Sequence, residues 1–274
     1  MPNRSTSGGP ALHVEPRESD TCHVVLRASG VTDKGRIRPT NEDCFAIRED
    51  LGLCVLADGM GGHNAGEVAS RLAVDVVVDT CSTVQDTWPF GYEESLSVDG
   101  NVLRTAIHRA NMSILETAIT SERYTGMGTT VVAARVANGR LVVAHAGDSR
   151  LYLLADGHLR QITHDDSWVA TILATDPGVD PNLLLNHPMR NALTNVVGAG
   201  SRTDVHIVEE PVASGALLLL TTDGVHGVMD DGQLERLIAD ADDLDATAAN
   251  VIAAALARGS RDNCTAIVAR VCGI

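Results

Sequence analysis

Lysine is almost absent from this 274-residue chain: of 21 basic residues only Lys34 is a lysine, and the others are arginines. A Walker A loop needs Lys beside its second glycine, and a protein kinase needs Lys on the strand after its Gly-rich loop. Lys34 lies upstream of Gly59-Met60-Gly61-Gly62 and of every later Gly-rich stretch, so neither device can be assembled. Positive charge is scarce altogether. The 21 Lys+Arg stand against 36 Asp+Glu, a net charge of −15, and that field opposes nucleic acid and anionic lipid. Aromatics make up only 3% of residues, so Val, Leu, Ile and Ala must build the core. The six cysteines (Cys22, Cys44, Cys54, Cys81, Cys264, Cys272) form no CxxC pair, and a disulfide scaffold or zinc site would need tighter arithmetic. They read as reduced residues of apolar runs. The N-terminus has no apolar h-region, and no stretch approaches the roughly 18 apolar residues of a membrane span. The expectation is a cytoplasmic protein with no membrane span and no nucleic-acid partner.

What is present is a globular composition, 44% hydrophobic and 21% charged. Residues 1–20 are rich in Ser, Gly, Pro and charge and read as a flexible lead-in. Residues 21–274 read as a single domain. Helices are expected over Ala65 to Thr80, where Val68, Leu72 and Val76 recur at four-residue spacing, and over Val98 to Ser121, with Asp99 as the N-cap. Trp88-Pro89-Phe90-Gly91 between them reads as a loop.

Asn138-Gly139 and Asp156-Gly157 each separate two β-rich runs, which predicts two hairpins forming one antiparallel meander. Buried strands are expected at Ala216–Leu220 and Cys264–Val271. Helices are expected at Gln233–Ala239 and Ala246–Arg258, the latter ending at Gly259. This order is α+β, and it provides strands for two antiparallel sheets packed face to face with helices outside.

Acidic residues recur where apolar runs end. Leu53–Ala57 leads into Asp58-Gly59, Val142–Gly147 into Asp148, and Leu217–Thr222 into Asp223-Gly224. Asn41-Glu42-Asp43 precedes another apolar run, and Asp262-Asn263 precedes the last. Strand ends meet at the rim of a sandwich, so five segments can bring carboxylates to one place. Two carboxylates about 4 Å apart repel by roughly 4 kcal/mol at an effective dielectric near 20. Such a cluster protonates or binds cations. Hard oxygen donors point to Mg²⁺ or Mn²⁺, and a bridged pair of ions acidifies a shared water for in-line attack on phosphorus. Asp-Gly is also a common turn dipeptide, so spacing alone leaves the turn and ligand readings both open.

Six motifs occur in order: Arg38-Pro39-Thr40-Asn41-Glu42-Asp43, Ala57-Asp58-Gly59-Met60-Gly61-Gly62-His63, Gly126-Met127-Gly128-Thr129-Thr130, Gly147-Asp148-Ser149-Arg150, Thr222-Asp223-Gly224 and Arg261-Asp262-Asn263. Together, over roughly residues 22–274, they resemble the metal-dependent protein phosphatase family, also called protein phosphatase 2C, in its bacterial stand-alone style. The resemblance implies two antiparallel β-sheets packed as a sandwich flanked by helix pairs, a four-layer αββα arrangement. It implies hydrolysis of phosphoserine and phosphothreonine in proteins by a metal-bridging hydroxide, without a phosphoenzyme.

Carried over by motif, Asp58 bridges two Mn²⁺ or Mg²⁺ ions and the Gly59 carbonyl binds one of them. Asp223 and Asp262 complete the first ion, Glu42 serves the second, and Asp148 with Asp223 suits a third. Asp43 orients metal-bound water, and Arg38 binds the substrate phosphate, to which its guanidinium fork is matched.

Two departures are visible. Met60 stands where animal members carry a His proposed as proton donor, which leaves the donor between His63 and a metal-bound water. Gly224-Val225-His226-Gly227 departs from the usual Gly-Leu, placing His226 near the rim as a tuner of pH response. Residues of about 164–200 correspond to a flap, in which Trp168 is either an anchor or core. His145, inside an apolar run, reads as a satisfied core histidine.

The resemblance implies phosphorylated proteins as partners, with a cognate Ser/Thr kinase and its substrates, for a monomer. An inactive pseudophosphatase acting as a regulatory binding module is the alternative, opposed by the intact Asp58, Asp223 and Asp262. A phosphatase acting on an anti-sigma antagonist is a variant of the same chemistry. A calcium module is opposed by the lack of any EF-hand loop.

Overall fold

The computed structural model describes residues 24–62, 65–83, 87–176, 178–184 and 187–273. The expected lead-in over residues 1–20, together with Cys22 and His63, lies outside the described residues. In chain order the elements are β1 (Val24–Asp33), β2 (Asp43–Arg48), β3 (Leu53–Met60), α1 (Ala65–Ser82), α2 (Val98–Ala118), β4 (Gly128–Thr129), β5 (Val131–Ala137) and β6 (Arg140–Ala146). There follow β7 (Arg150–Ala155), β8 (His158–Gln161), α3 (Trp168–Thr175), α4 (Pro181–Leu184) and β9 (His206–Pro211). The chain ends with β10 (Leu217–Thr221), α5 (Asp223–His226), α6 (Asp231–Ile238), α7 (Leu244–Ala257) and β11 (Cys264–Gly273). Among the described residues no helix is long and apolar enough to cross a membrane.

One sheet runs β1-β11-β10-β7-β8 and the other β2-β3-β5-β6-β9, with the short β4 paired to the end of β3. The side-chain period of two explains why their strands read as continuous apolar runs. In β3, Cys54 and Leu56 point into the layer between the sheets, while Leu53, Val55 and Ala57 point at α1 and α2. In β10, Leu218 and Leu220 face the other sheet while Leu217 and Leu219 face α6 and α7. Each buried aliphatic side chain contributes about 1.5–3 kcal/mol, so three apolar layers stack into the expected αββα sandwich. With few aromatics available, Tyr152 is the largest fully buried side chain, and its hydroxyl accepts a hydrogen bond from Arg150 at 2.9 Å.

Both hairpin turns form as expected. Asn138 and Gly139 (φ 51° and 71°) and Asp156 and Gly157 (φ 52° and 77°) adopt the left-handed pairs of tight two-residue turns. The single meander does not form, because β5–β6 belongs to one sheet and β7–β8 to the other. The chain crosses between them at Gly147-Asp148-Ser149. Gly147 has φ 101°, and a Cβ there would lie 2.6 Å from Thr130 Cγ2. Local pattern cannot distinguish two adjacent hairpins in one sheet from two in facing sheets.

The N-cap of α2 is Ser97, whose hydroxyl accepts from the Gly100 amide at 3.0 Å. Asp99 lies in the first turn instead and pairs with Arg135 at 3.0 Å. The helices expected at Gln233 and Ala246 begin two residues earlier, at Asp231 and Leu244, where Asp230 and Asp243 cap them.

Asn111, buried on α2, holds the segment that leads into β9. Its Oδ1 accepts from the Gly198 amide and the Thr203 hydroxyl, both at 2.7 Å, and its Nδ2 donates to the Gly200 carbonyl at 3.0 Å. Asn111→Ala strands these groups in the interior and should cost about 2–3 kcal/mol. For a chain of this size that is a fall of roughly 5–10 °C in Tm, checked by thermal unfolding.

Candidate metal centre at the sandwich rim

The β2–β3 hairpin places Asp43 directly opposite Asp58 across the strands. Glu42 precedes β2, and its carbonyl accepts from the Gly59 amide at 3.1 Å and from the Ser70 hydroxyl of α1 at 2.5 Å. Asp223 opens α5 at the end of β10, and Asp262 lies just before β11, which pairs with β10. Asp148 lies in the crossover between the sheets. The strand ends thus bring the six expected acidic residues to one rim, with Arg38 beside them and its Nη2 on Asp262 Oδ2 at 2.6 Å. The backbone at Gly59 is packed so closely that a Cβ would sit 2.1 Å from the Gly66 carbonyl and 2.6 Å from the Glu42 carbonyl, which demands glycine.

The electrostatics are those of crowded anions. Burial raises the Asp58 carboxyl well above its usual range, and Asp43, Asp223, Asp148 and Asp262 add to the rise. Burial is also the first cause at Asp43, which is pushed up to about 7 against the hydrogen bonds of Thr265 and Thr222. Asp148 rises to about 7 through burial and then Asp223. Asp223 rises to about 6 through burial and Asp262, with Arg38 opposing. Burial raises Glu42 as well, again opposed by Arg38. Two carboxylate oxygens, Asp43 Oδ1 and Asp223 Oδ1, are buried without a hydrogen-bond partner. An all-oxygen donor set with orphaned acceptors and self-repelling charge fits a pair of hard divalent cations.

Residues beyond the expected ligands hold this geometry. Asp43 Oδ2 accepts from the Thr222 hydroxyl at 3.0 Å and the Thr265 hydroxyl at 2.6 Å, so one carboxylate oxygen is anchored and the other left for a ligand. The Asp58 amide donates to Thr130 Oγ1 at 3.0 Å, while its carbonyl accepts from the Thr130 amide at 2.9 Å and the Thr129 hydroxyl at 2.8 Å. Thr130 Oγ1 also meets Ser149 Oγ at 2.7 Å, tying the Asp58 strand to the Asp148 crossover. Asn263 Oδ1 accepts from the Glu42 amide at 2.9 Å, and its Nδ2 donates to the carbonyls of Lys34 and Thr40. The Gly128-Thr129-Thr130 and Asp262-Asn263 motifs were the available signals.

Other candidates fall elsewhere. Arg150 makes its bidentate pair with Asp165, at 2.9 and 2.7 Å, and not with its neighbour Asp148. His226 Nδ1 is engaged by the Thr221 hydroxyl at 2.9 Å, and burial with Arg150 nearby keeps the ring well below its usual pKa, so it does not titrate as a rim switch. Trp168, only partly buried, stacks on His187 with ring centroids 4.2 Å apart, a contact within residues 164–200. His145 is fully buried, but neither ring nitrogen has a partner, so it is not the satisfied core histidine expected.

Cys264 and Arg270 have the Cys-x5-Arg spacing of cysteine-dependent phosphatases. They lie on one extended strand, where six residues span roughly 20 Å, and burial raises the Cys264 thiol. Arg270 donates to the Ala241 carbonyl, so no phosphate cradle forms there.

Fold and site together define a metal-dependent phosphohydrolase. The chain belongs to the protein phosphatase 2C family, whose family model matches residues 39–262. It is 34% identical over 246 residues to the serine/threonine phosphatase stp of Listeria monocytogenes, covering 89% of this chain and 95% of that one. The crystal structure of the Mycobacterium tuberculosis serine/threonine phosphatase PstP/Ppp matches with a TM-score of 0.78 and 32% identity, over 90% of this chain and 99% of that one. A PstP catalytic-domain structure in complex with two manganese ions matches with a TM-score of 0.77 and 30% identity, over 91% and 99% of the two chains.

The raised carboxyls set a pH dependence. Asp43, Asp148 and Asp223 hold protons more tightly in the folded state than the roughly 3.9 of an unfolded Asp. The folded state therefore binds more protons between about pH 4 and 7, and metal-free stability falls as pH rises through that window. Chelator-treated protein should melt lower at pH 8 than at pH 5. Asp58→Asn should narrow that gap by at least roughly 2–4 °C, and saturating Mn²⁺ should do the same. An unchanged gap in calorimetric scans would contradict the repulsion.

Proposed function

We propose that this protein hydrolyses phosphoserine and phosphothreonine esters of proteins with two Mn²⁺ or Mg²⁺ ions, opposing a Ser/Thr protein kinase in the cytoplasm as a monomer. The single observation that carries this reading is the buried carboxylate cluster, drawn from separate segments, with Asp43 Oδ1 and Asp223 Oδ1 left unpartnered. We read residues 21–274 as one catalytic domain.

In this proposal Asp58, the Gly59 carbonyl, Asp223, Asp262 and Glu42 would hold the two ions, and Asp148 with Asp223 would hold a third. Bound there, the ions supply charge neutralisation and an acidified water. Asp43, anchored through Oδ2, keeps Oδ1 free and would orient the attacking water with it. Arg38, half-exposed beside Asp262, offers its guanidinium to the phosphate oxygens and neutralises charge that grows in the transition state. Met60 carries no exchangeable proton, so the leaving oxygen would take its proton from His63 or from water.

Hydrolysis of p-nitrophenyl phosphate and of a phosphothreonine peptide should depend on Mn²⁺ and stop with excess chelator. Asp223→Asn should lower kcat/KM at least about a hundredfold while the far-UV spectrum and melting remain cooperative. Arg38→Ala should raise KM for the peptide, since it removes phosphate binding. Folded, metal-bound protein that turns over neither substrate would instead identify the regulatory pseudophosphatase.

A further inference from the structure

A second cluster of ligand-type side chains lies at the root of the flap and shares no residue with the rim centre. His164 follows β8, Asp166 precedes α3, and His206 opens β9. One ligand atom from each lies within 4.8 Å of the others. Asp166 Oδ1 is 3.0 Å from His206 Nε2 and 3.9 Å from His164 Nε2. Around a tetrahedral zinc ion with bonds of about 2.0–2.1 Å, neighbouring ligand atoms are roughly 3.4 Å apart. The cluster is already near that spacing, and His164, 61% exposed at its side chain, has room to adjust.

The carboxylate is held as a ligand carboxylate would be. Asp166 Oδ2 is engaged by the Gly147 amide at 2.9 Å and by Asn195 Nδ2 at 2.7 Å, which turns Oδ1 toward the two imidazoles. Beneath them His145, the cross-strand partner of His206, is completely buried. Its ring lies 4.7 Å from that of His164 and 5.0 Å from that of His206, centroid to centroid. Packed against two other imidazoles and away from water, it offers one N–H and one lone pair as a neutral ring. Neither nitrogen is matched. A buried donor or acceptor left unsatisfied is destabilising, and a ligand or water reaching the ring would relieve it.

We propose that His164, Asp166 and His206, with His145 beneath them, bind one borderline transition-metal ion of the Zn²⁺ class at the flap root. The donor sets sort the metals: the all-oxygen rim suits hard Mn²⁺ or Mg²⁺, and the imidazole-rich cluster suits Zn²⁺ or Co²⁺. The cysteine spacing that argued against zinc in the sequence did not count histidines brought together from three separate segments.

The test is a Co²⁺ titration of the full chain in excess Mg²⁺, followed in the visible, where four-coordinate imidazole-ligated Co²⁺ absorbs far more strongly than octahedral all-oxygen Co²⁺. The expected result is one equivalent of intense band, displaced by one equivalent of Zn²⁺. That band should persist in the Asp58→Asn/Asp223→Asn double variant, which separates this site from the rim reading. His164→Ala, a change at an exposed side chain, should weaken binding at least tenfold, and His206→Ala should abolish the band. If His206→Ala does not fold, His164→Ala decides alone. A missing band, or equal Co²⁺ affinity in wild type and His164→Ala, overturns the proposal.

Discussion

Mutual repulsion of carboxylates held away from water is the constraint on which the rest of the structure depends. Asp43, Asp58, Asp148 and Asp223 each bind protons more tightly than a free Asp, and at each of them burial is the leading cause. An arrangement of this kind opposes folding. It persists because the sandwich is stabilised elsewhere, in three apolar layers that run the length of both sheets. The rim groups are not free to relax outward, since their backbones are pinned by Thr129, Thr130, Ser70 and Asn263. Strain of this sign is relieved by cations, which makes ion affinity a consequence of the packing and not only of the donor types.

Rigid pinning also explains why small hydroxyl residues surround the acidic ones. A threonine at the end of a strand offers a donor on a stiff, β-branched side chain. Thr222, just past the end of β10, and Thr265 of the adjacent β11 converge on the same Asp43 oxygen, leaving the other oxygen defined in position but unmatched. Thr222 Oγ1 in turn accepts from the Thr265 amide at 3.0 Å, so the pair is locked before any ligand arrives. Preorganised acceptors lose little on binding, and this is how a protein spends packing energy on chemistry.

Much of the fold was legible in the chain because local signals agreed with it. Asn138-Gly139 and Asp156-Gly157 specify their turns through left-handed backbone that few other dipeptides tolerate. The rim carboxylates were legible as residues that end apolar runs, and the ordered motifs supplied the family. What stayed hidden depended on distant partners. The two hairpins are locally alike, yet they join different sheets, and nothing near Gly147 states that the chain crosses there. Asp99 looked like a cap because acidic residues favour helix starts, but Ser97 reaches the Gly100 amide and leaves Asp99 to Arg135. The role of Thr265 toward Asp43 spans 222 positions and exists only once β11 is in register. The Cys264–Arg270 spacing, by contrast, carries no function here, since both residues lie on one extended strand.

Asp166 shows how the segment after β8 and the rim are joined. Its amide donates to the Gly147 carbonyl at 3.0 Å, its carboxylate accepts from the Gly147 amide, and its carbonyl accepts from the Thr194 amide at 2.8 Å. One residue of the flap root therefore brackets the glycine at which the chain crosses between sheets, next to Asp148. Gly147 can accept this double contact only because its left-handed φ presents both backbone groups outward with no Cβ against Thr130. The remaining oxygen of Asp166 faces the histidines. A charge placed among those histidines would act on the same carboxylate that positions the Asp148 crossover. The His164–Asp166–His206 cluster and the rim carboxylates thus meet through a single peptide unit, with no rearrangement of either sheet required between them.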